Sequence, residues 1–335
     1  MFRATIVVAA VLSLSFPIHV SAQPSSAERA RERAQEKEQA RRDREQERRE
    51  RAAEKAQERR ERDRAGSLDT TVTFNASGML TVSCPGGAVI VTGGSRNEIR
   101  IRARTENGAI RFTSNGSQAS LEPASGRGCS DGHFDVIVPI GTKVVASSWS
   151  GSVSVKGVKG IIDIHAQSAD VDVRDAGGRV DLESLSGDVT IAGVAGESNI
   201  HTISGSITLS GARGDVVIES VSGDVDLRDI TSRQVRAHTT SGEIAFIGQI
   251  IEGGRYEFNT HNGEITLGLP AAIGAELSLA TFNGGIESDF PITLKAGQHG
   301  IGAAQAKRLT FTVGHGSARI SAETFSGDIN IRRRR

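Results

Sequence analysis

One short motif returns along this chain at a near-constant interval, and that repetition limits the fold more than any other feature. Ser-Gly or its equivalent occurs at Ser150, Ser168 (followed by Ala169), Ser186, Ser204, Ser222, Ser241, Asn262, Asn283 and Ser326. The first five are 18 residues apart, and the later spacings are 19, 21, 21 and 43. The surroundings repeat as well. Six and four residues before the motif stand mostly apolar side chains: Val180 and Leu182, Val216 and Ile218, Leu277 and Leu279. Two before it is a small residue, as at Ser184, Ser220 and Thr281; three and five after it come Val189 and Ile191, Val225 and Leu227, Ile265 and Leu267. Eight after it is another small or apolar residue, and ten after it is usually glycine, as at Gly160, Gly178, Gly196 and Gly214.

Alternation with a period of two in each half of the repeat means a strand with one face turned inward. Parity breaks at the Ser-Gly step, where a bend restores the inward direction, and glycine tolerates the backbone angles a bend needs. Identical offsets in successive repeats place like residues on like residues. The solution is an all-β, single-stranded β-solenoid of about 18–21 residues per coil, each coil resting about 4.8 Å from the next. General crossover chirality favours a right-handed β-helix. The Ser/Asn column is expected to point inward and to form a hydrogen-bonded ladder at the corner.

The offsets extend upstream to Leu80, Val82, Cys84, Gly86-Gly87, Val89 and Val91, whereas residues 95–140 fit them poorly and read as a β-elaboration over that end. Leu309 to Val313 and Ala318 to Ala322 flank Gly314-His315-Gly316, which reads as a hairpin inserted before the last coil. The expected organisation is a signal peptide (1–22), a charged helical or disordered arm (23–66), an N-terminal β region (67–148), and regular solenoid repeats with a C-terminal hairpin and basic tail (149–335).

At this point a resemblance is visible. Ser186-Gly187-Asp188-Val189, Ser222-Gly223-Asp224-Val225, Thr281-Phe282-Asn283-Gly284, and Ser326-Gly327-Asp328-Ile329 before a basic terminus make the chain similar to the bacterial putative-adhesin family, over roughly residues 70–333. The family is a β-strand-repeat domain of unknown function. The resemblance implies an exported β-solenoid and supplies no catalytic residues to carry over.

Two further segments are read from their own composition. Met1 to Ala22 has a positive start at Arg3, an apolar run from Ala4 to Phe16, and small residues at Val20-Ser21-Ala22 before Gln23. That is the pattern of a secretory signal, too short for the roughly 20 residues of a membrane span. No transmembrane anchor is expected in the mature chain, which is expected in the periplasm, on the cell surface or secreted. Glu28 to Arg64 contains only Ala, Gln, Arg, Lys, Glu and Asp. These are mostly strong helix formers. Glu38 with Arg42, Glu45 with Arg49, Glu47 with Arg51 and Glu58 with Arg62 are favourable four-residue pairs. Without an apolar stripe such a helix has nothing to dock on a core, so it reads as a solvated spacer. An oxidising compartment permits a disulfide between the only two cysteines, Cys84 and Cys129. Spacing does not decide whether they meet.

Forty basic and forty acidic side chains give no net charge, which removes the electrostatic argument for nucleic acid. The P-loop, the zinc-protease helix motif, the nucleophile elbow and the dinucleotide fingerprint are absent from the sequence. We assign no catalytic, cofactor-binding or metal-binding residue. Three columns nonetheless stand out. Asp170, Asp188, Asp224, Glu243, Glu264 and Asp328 lie two residues after the motif, where an acid suits a turn or, stacked, a cation. His165, Glu183, His201, Glu219 and His238 lie three before it, as either a charge-alternating outer face or a metal or pH-responsive strip. One before it lie Trp149, Gln167, Leu185, Ile203, Val221, Thr240, His261, Phe282 and Phe325. Alternation turns this last column outward, and the bend at Ser-Gly could equally turn it in. If outward, Trp149, Leu185, Ile203, Val221, Phe282 and Phe325 form a partner-binding stripe. Arg213-Gly214-Asp215 spells an integrin-recognition tripeptide at a predicted corner, and Arg332 to Arg335 reads as a solubilising basic tail.

The expected function is that of a non-catalytic exported β-solenoid, an adhesin or cell-envelope scaffold. Its partner is a cell-envelope or surface ligand, protein or glycan, or a second copy. The alternatives are an envelope-stress sensor or interaction module and, further off, a carbohydrate-active β-helix enzyme.

Overall fold

The computed structural model describes residues 37–55 (except 40, 43 and 54), 66–124 (except 107), 131–291 and 307–334. The chain divides into two units at Arg60/Glu61. In the first, the described residues between 37 and 55 are helical, and three of the expected pairs are made: Arg42 to Glu38 at 2.7 Å, Arg49 to Glu45 at 2.9 Å and Arg51 to Glu47 at 2.6 Å. All six side chains are exposed, so each pair adds only a few tenths of a kcal/mol. The fourth pair, Glu58 with Arg62, and the signal segment lie outside the described residues.

The second unit is the expected β-solenoid. Most coils have one strand on either side of a Ser-Gly corner, for example Val180–Ser186 and Val189–Val194, while in the Ser150 and Ser168 coils a single strand continues through the corner, Lys143–Lys156 and Ile162–Ala176. Successive coils pair in parallel, and their first strands keep one register: His165, Glu183, His201, Glu219, His238 and Asn259 are neighbours across six coils; the second strands shift by one residue between Arg228 and Ile230, where the repeat lengthens. Inward positions follow the offsets. In the Ser186 coil, Val180, Leu182, Ser184, Val189, Ile191 and Val194 are buried, while Glu183, Leu185 and Asp188 are exposed. A one-residue slip would move the whole apolar set to the outside, which is why the register is so regular. The 21-residue coils are wider, and large side chains fill them: Phe246, Tyr256 and Phe258 are fully buried, with ring centroids 5.1–6.0 Å apart. The Tyr256 hydroxyl donates to Ser232 O (2.9 Å) and accepts from Ile251 N (2.8 Å).

The corner differs from expectation in one respect. The Ser/Asn column does form a ladder, but its side chains are half or fully exposed. The inward hydroxyls stand two residues earlier. Thr239, Thr260, Thr324 and Thr281 are buried and donate to the carbonyls of Gly223, Gly242, Gly263 and Gly327, each in a neighbouring coil, at 2.9–3.3 Å. Parity is reset over the Ser-Gly-Asp step, so the Ser itself is left on the outer edge of the bend.

Both ends of the stack depart from chain order. Met79–Gly94 lies between Lys143–Lys156 on one side and Gln118–Pro123 with Gly132–Pro139 on the other, all parallel to it. Residues 95–140 thus contribute an outer coil as well as antiparallel strands: Glu98–Thr105 pairs with Gly132–Pro139 and with Gly66–Thr73, and Ile110–Ser114 with Gln118–Pro123. Lys143–Lys156 runs unbroken through the expected boundary at 148/149. At the other end Ala318–Ser326 is inserted between Arg255–Asn262 and Ala275–Asn283, and Ile329–Arg334 between Ile265–Pro270 and Ile286–Ser288. The expected C-terminal hairpin is not formed. Lys307–Val313 pairs antiparallel with Ala275–Asn283, on the edge opposite Ala318–Ser326, so a third strand separates the two intended partners. The Gly314-His315-Gly316 turn carries the chain across that strand.

Candidate outer-face interaction site

The first strand of each coil turns three columns outward, five, three and one residues before the corner. The column nearest the corner is the apolar stripe, and it faces solvent: Trp149, Leu185, Ile203, Val221, Phe282 and Phe325 are 44–66% exposed. The bend begins after these residues and does not turn them in. Their backbone is fixed by the corner ladder, since Ser150, Ser186 and Ser204 Oγ donate to the carbonyls of Pro85, Gln167 and Leu185 in the coil before, at 3.2–3.3 Å.

Strand insertion at the C-terminal end reorders the stripe. Phe325 sits between His261 and Phe282, with ring centroids 4.9 Å from each and interplanar angles of 13° and 4°. Both faces of Phe325 are therefore covered by neighbouring rings. At the other end Trp149, Leu185 and Ile203 line an open groove of about 620 Å³ together with His165, Glu183 and His201.

The His/Glu column forms the second wall of this groove. His165 Nδ1 lies 3.3 Å from Glu183 Oε2 and its Nε2 lies 3.0 Å from Asp163 Oδ1; His201 Nδ1 lies 3.3 Å from Glu219 Oε2. His165 and His201 thus each meet a carboxylate of the next coil, which gives the alternation a packing role. Among the described residues no three His, Cys, Asp or Glu side chains gather in a metal-holding group.

The acid column serves the corner. Asp170, Asp188, Asp224 and Asp328 each accept the backbone N–H of the next coil's equivalent residue, at 2.7–3.0 Å: Asp188, Ser206, Glu243 and Gly285. Those N–H groups face outward at a bend, where no strand partner reaches them, and the carboxylate satisfies them. Arg213-Gly214-Asp215 is part of a coil turn, with Arg213 N bound to Val194 O and Asp215 O to Ser198 N. The basic tail is the second strand of the inserted coil, which its residue types hid. Arg332 meets Glu287 at 3.1 Å and Asp289 at 3.7 Å, and Arg333 lies over the Phe290 ring. The alternation of Ile329 and Ile331 is the sequence signal that could have shown it. Cys84 is buried in the inward column two before the corner; Cys129 lies outside the described residues.

The family model of Toastrack DUF4097 matches residues 95–332. The chain belongs to that family. The resemblance read from the Ser-Gly-Asp units is thereby borne out, and it is to an adhesin-like family of unknown function. Three solved structures are similar in part. One is a putative cell adhesion protein from Clostridium sporogenes (12% identity, TM-score 0.20, covering 80% of this chain and 100% of that one). Another is a putative adhesin from Bacteroides fragilis (10%, 0.41, 79% and 96%). The third is a putative lipid binding protein from Parabacteroides distasonis (10%, 0.35, 81% and 97%). At these scores the three say nothing about what this chain binds. No curated protein matches the chain.

Proposed function

We propose that this protein is a non-catalytic, exported β-solenoid that works as an adhesin or envelope scaffold through the outer face of its first strands. The observation that carries the reading is the outward stripe. Six large apolar side chains stand in one column, held at fixed spacing by the corner ladder and flanked by polar columns. Leu185, Ile203 and Val221 are adjacent in it, as are Phe325 and Phe282, and exposed apolar surface of this kind marks a contact site. The covered faces of Phe325 favour a protein partner over a glycan at that end, because sugars are gripped by open ring faces.

The carbohydrate-active alternative needs a pair of carboxylates free to exchange protons. Four of the six stacked acids, Asp170, Asp188, Asp224 and Asp328, are instead committed to backbone N–H groups, and Glu264 accepts from Thr266 and Asn330. An envelope sensor uses the same face for a different partner and differs in where it resides. Trypsin treatment of intact cells separates the two, because the arm is dense in Arg and Lys while the solenoid backbone is locked in strands. Release of the β unit from intact cells places it outside and supports adhesion. Cleavage only after the outer barrier is broken supports a periplasmic scaffold or sensor. No cleavage in either condition, with the chain in the cytoplasmic fraction, overturns export.

A further inference from the structure

We propose that the groove beside Trp149 is a carbohydrate subsite, which takes one uncharged, N-acetylated pyranose ring between Trp149 and Leu185. This rests on the reading that the outer face binds, and names the ligand class at its Trp149 end.

The groove exists because two columns are interrupted at the same place. In the stripe, Gln167 stands between Trp149 and Leu185, so Trp149 is cut off from the run Leu185, Ile203 and Val221. In the column three residues before the corner, His165, Glu183 and His201 give way to Ser147 and then Ser83. Two short side chains replace long ones, and the wall is lower beside the indole. The resulting groove of about 620 Å³ falls in the range of small-ligand sites. Trp149 is 66% exposed, and among the described residues no aromatic ring lies against it. It is thus the opposite of Phe325, both of whose faces are covered.

Spacing and polarity select the ligand. Trp149 and Leu185 are two coils apart, about 9.6 Å at about 4.8 Å per coil. A ring touching one side chain on each face, at about 3.5–4.0 Å, takes up about 7–8 Å. The interval therefore admits a single saccharide ring, its apolar C–H face against the electron-rich face of the indole. The rim of such a ring carries polar groups, and the groove meets them with groups of its own. The Ser83 and Ser147 hydroxyls and the Gln167 amide have no side-chain partner among the described residues. Glu183 turns only Oε2 to His165, which leaves Oε1 to accept a hydroxyl. The Gln167 amide carries donors and an acceptor on one planar group, the complement of an acetamido group, and Leu185 and Ile203 line the groove where its methyl would lie. Among the described residues no Lys or Arg lines the groove, whereas Glu183 does. An acidic sugar is repelled there, and an uncharged one is not.

Trp149 is the only tryptophan of the chain, so its fluorescence reports this subsite alone. The full chain is titrated with N-acetylglucosamine, N-acetylgalactosamine and chitotriose, each against its counterpart without acetamido groups: glucose, galactose and cellotriose. At least one N-acetylated probe should give a saturable change with a millimolar or tighter Kd, and its counterpart should bind at least about tenfold more weakly. Gln167→Leu carries the apolar run into the interval and should abolish that response, while Gln167→Ala should bring the probe down to the level of its counterpart. Position 167 is exposed, so neither change bears on folding. Saturable binding of none of the three N-acetylated probes would overturn the proposal. So would equal affinity for a probe and its counterpart, or an unchanged response in Gln167→Leu. If no sugar binds but Trp149→Ala with Phe282→Ala abolishes binding to envelope material, only the sugar assignment falls. If that variant binds envelope material normally as well, the reading of the face falls with it.

Discussion

Ser198 occupies a position that Val180 and Val216 occupy in the coils on either side. It is fully buried, and its hydroxyl has no hydrogen-bond partner among the described residues. A valine fits the same layer and removes a polar group that has lost water, so Ser198→Val should stabilise the fold by about 1–2 kcal/mol in chemical denaturation. Tyr256 is the opposite case, a buried polar group with its partners in place. Burial raises its phenol above the ordinary value, the Ile251 N–H partly offsetting this. The fold therefore holds the proton more tightly than the unfolded chain does. Stability is complete below about pH 10 and falls as pH rises beyond it. Tyr256→Phe should lose about 1–2 kcal/mol at neutral pH and flatten that alkaline decline, which denaturation across pH would record.

The element that builds the site is the coil corner. A Cβ on Gly205 would stand 2.2 Å from the carbonyl oxygen of Gly187 in the coil before, and its φ of 108° is one that other residues avoid. Gly205→Ala should cost about 2 kcal/mol or more and loosen the carbonyl ladder beneath Leu185 and Ile203, visible as faster amide exchange confined to the flanking coils. The sequence offsets were enough to place every regular coil in register, because a fixed period leaves one alignment. They were not enough to orient the corner. The parity reset occupies three residues, and whether it precedes or follows the Ser decides which of Ser184 and Ser186 points inward. The stripe residues were legible one by one; their exposure depended on that same reset.

At the scale of the whole molecule, the chain closes its stack by weaving both end coils one place inward. This was illegible because strand insertion leaves no periodic trace. The 43-residue gap from Asn283 to Ser326 suggested an excursion without saying that the chain returns on the near side of the strand it left. If the chain is exported, Cys84 and Cys129 should be recovered as one linked peptide when the mature protein is digested without reductant. Recovery as separate thiol peptides would count against an oxidised pair. The proposed role requires the outer face to be a binding surface held by a rigid coil. The most direct measurement is binding of the full chain to envelope preparations, wild type against Trp149→Ala with Phe282→Ala. With circular dichroism unchanged and the thermal midpoint lowered by no more than the lost Phe282–Phe325 stack accounts for, binding should fall at least about tenfold, since both side chains are large, apolar and about half exposed or more. Equal binding by the two proteins would contradict the assignment of function to this face.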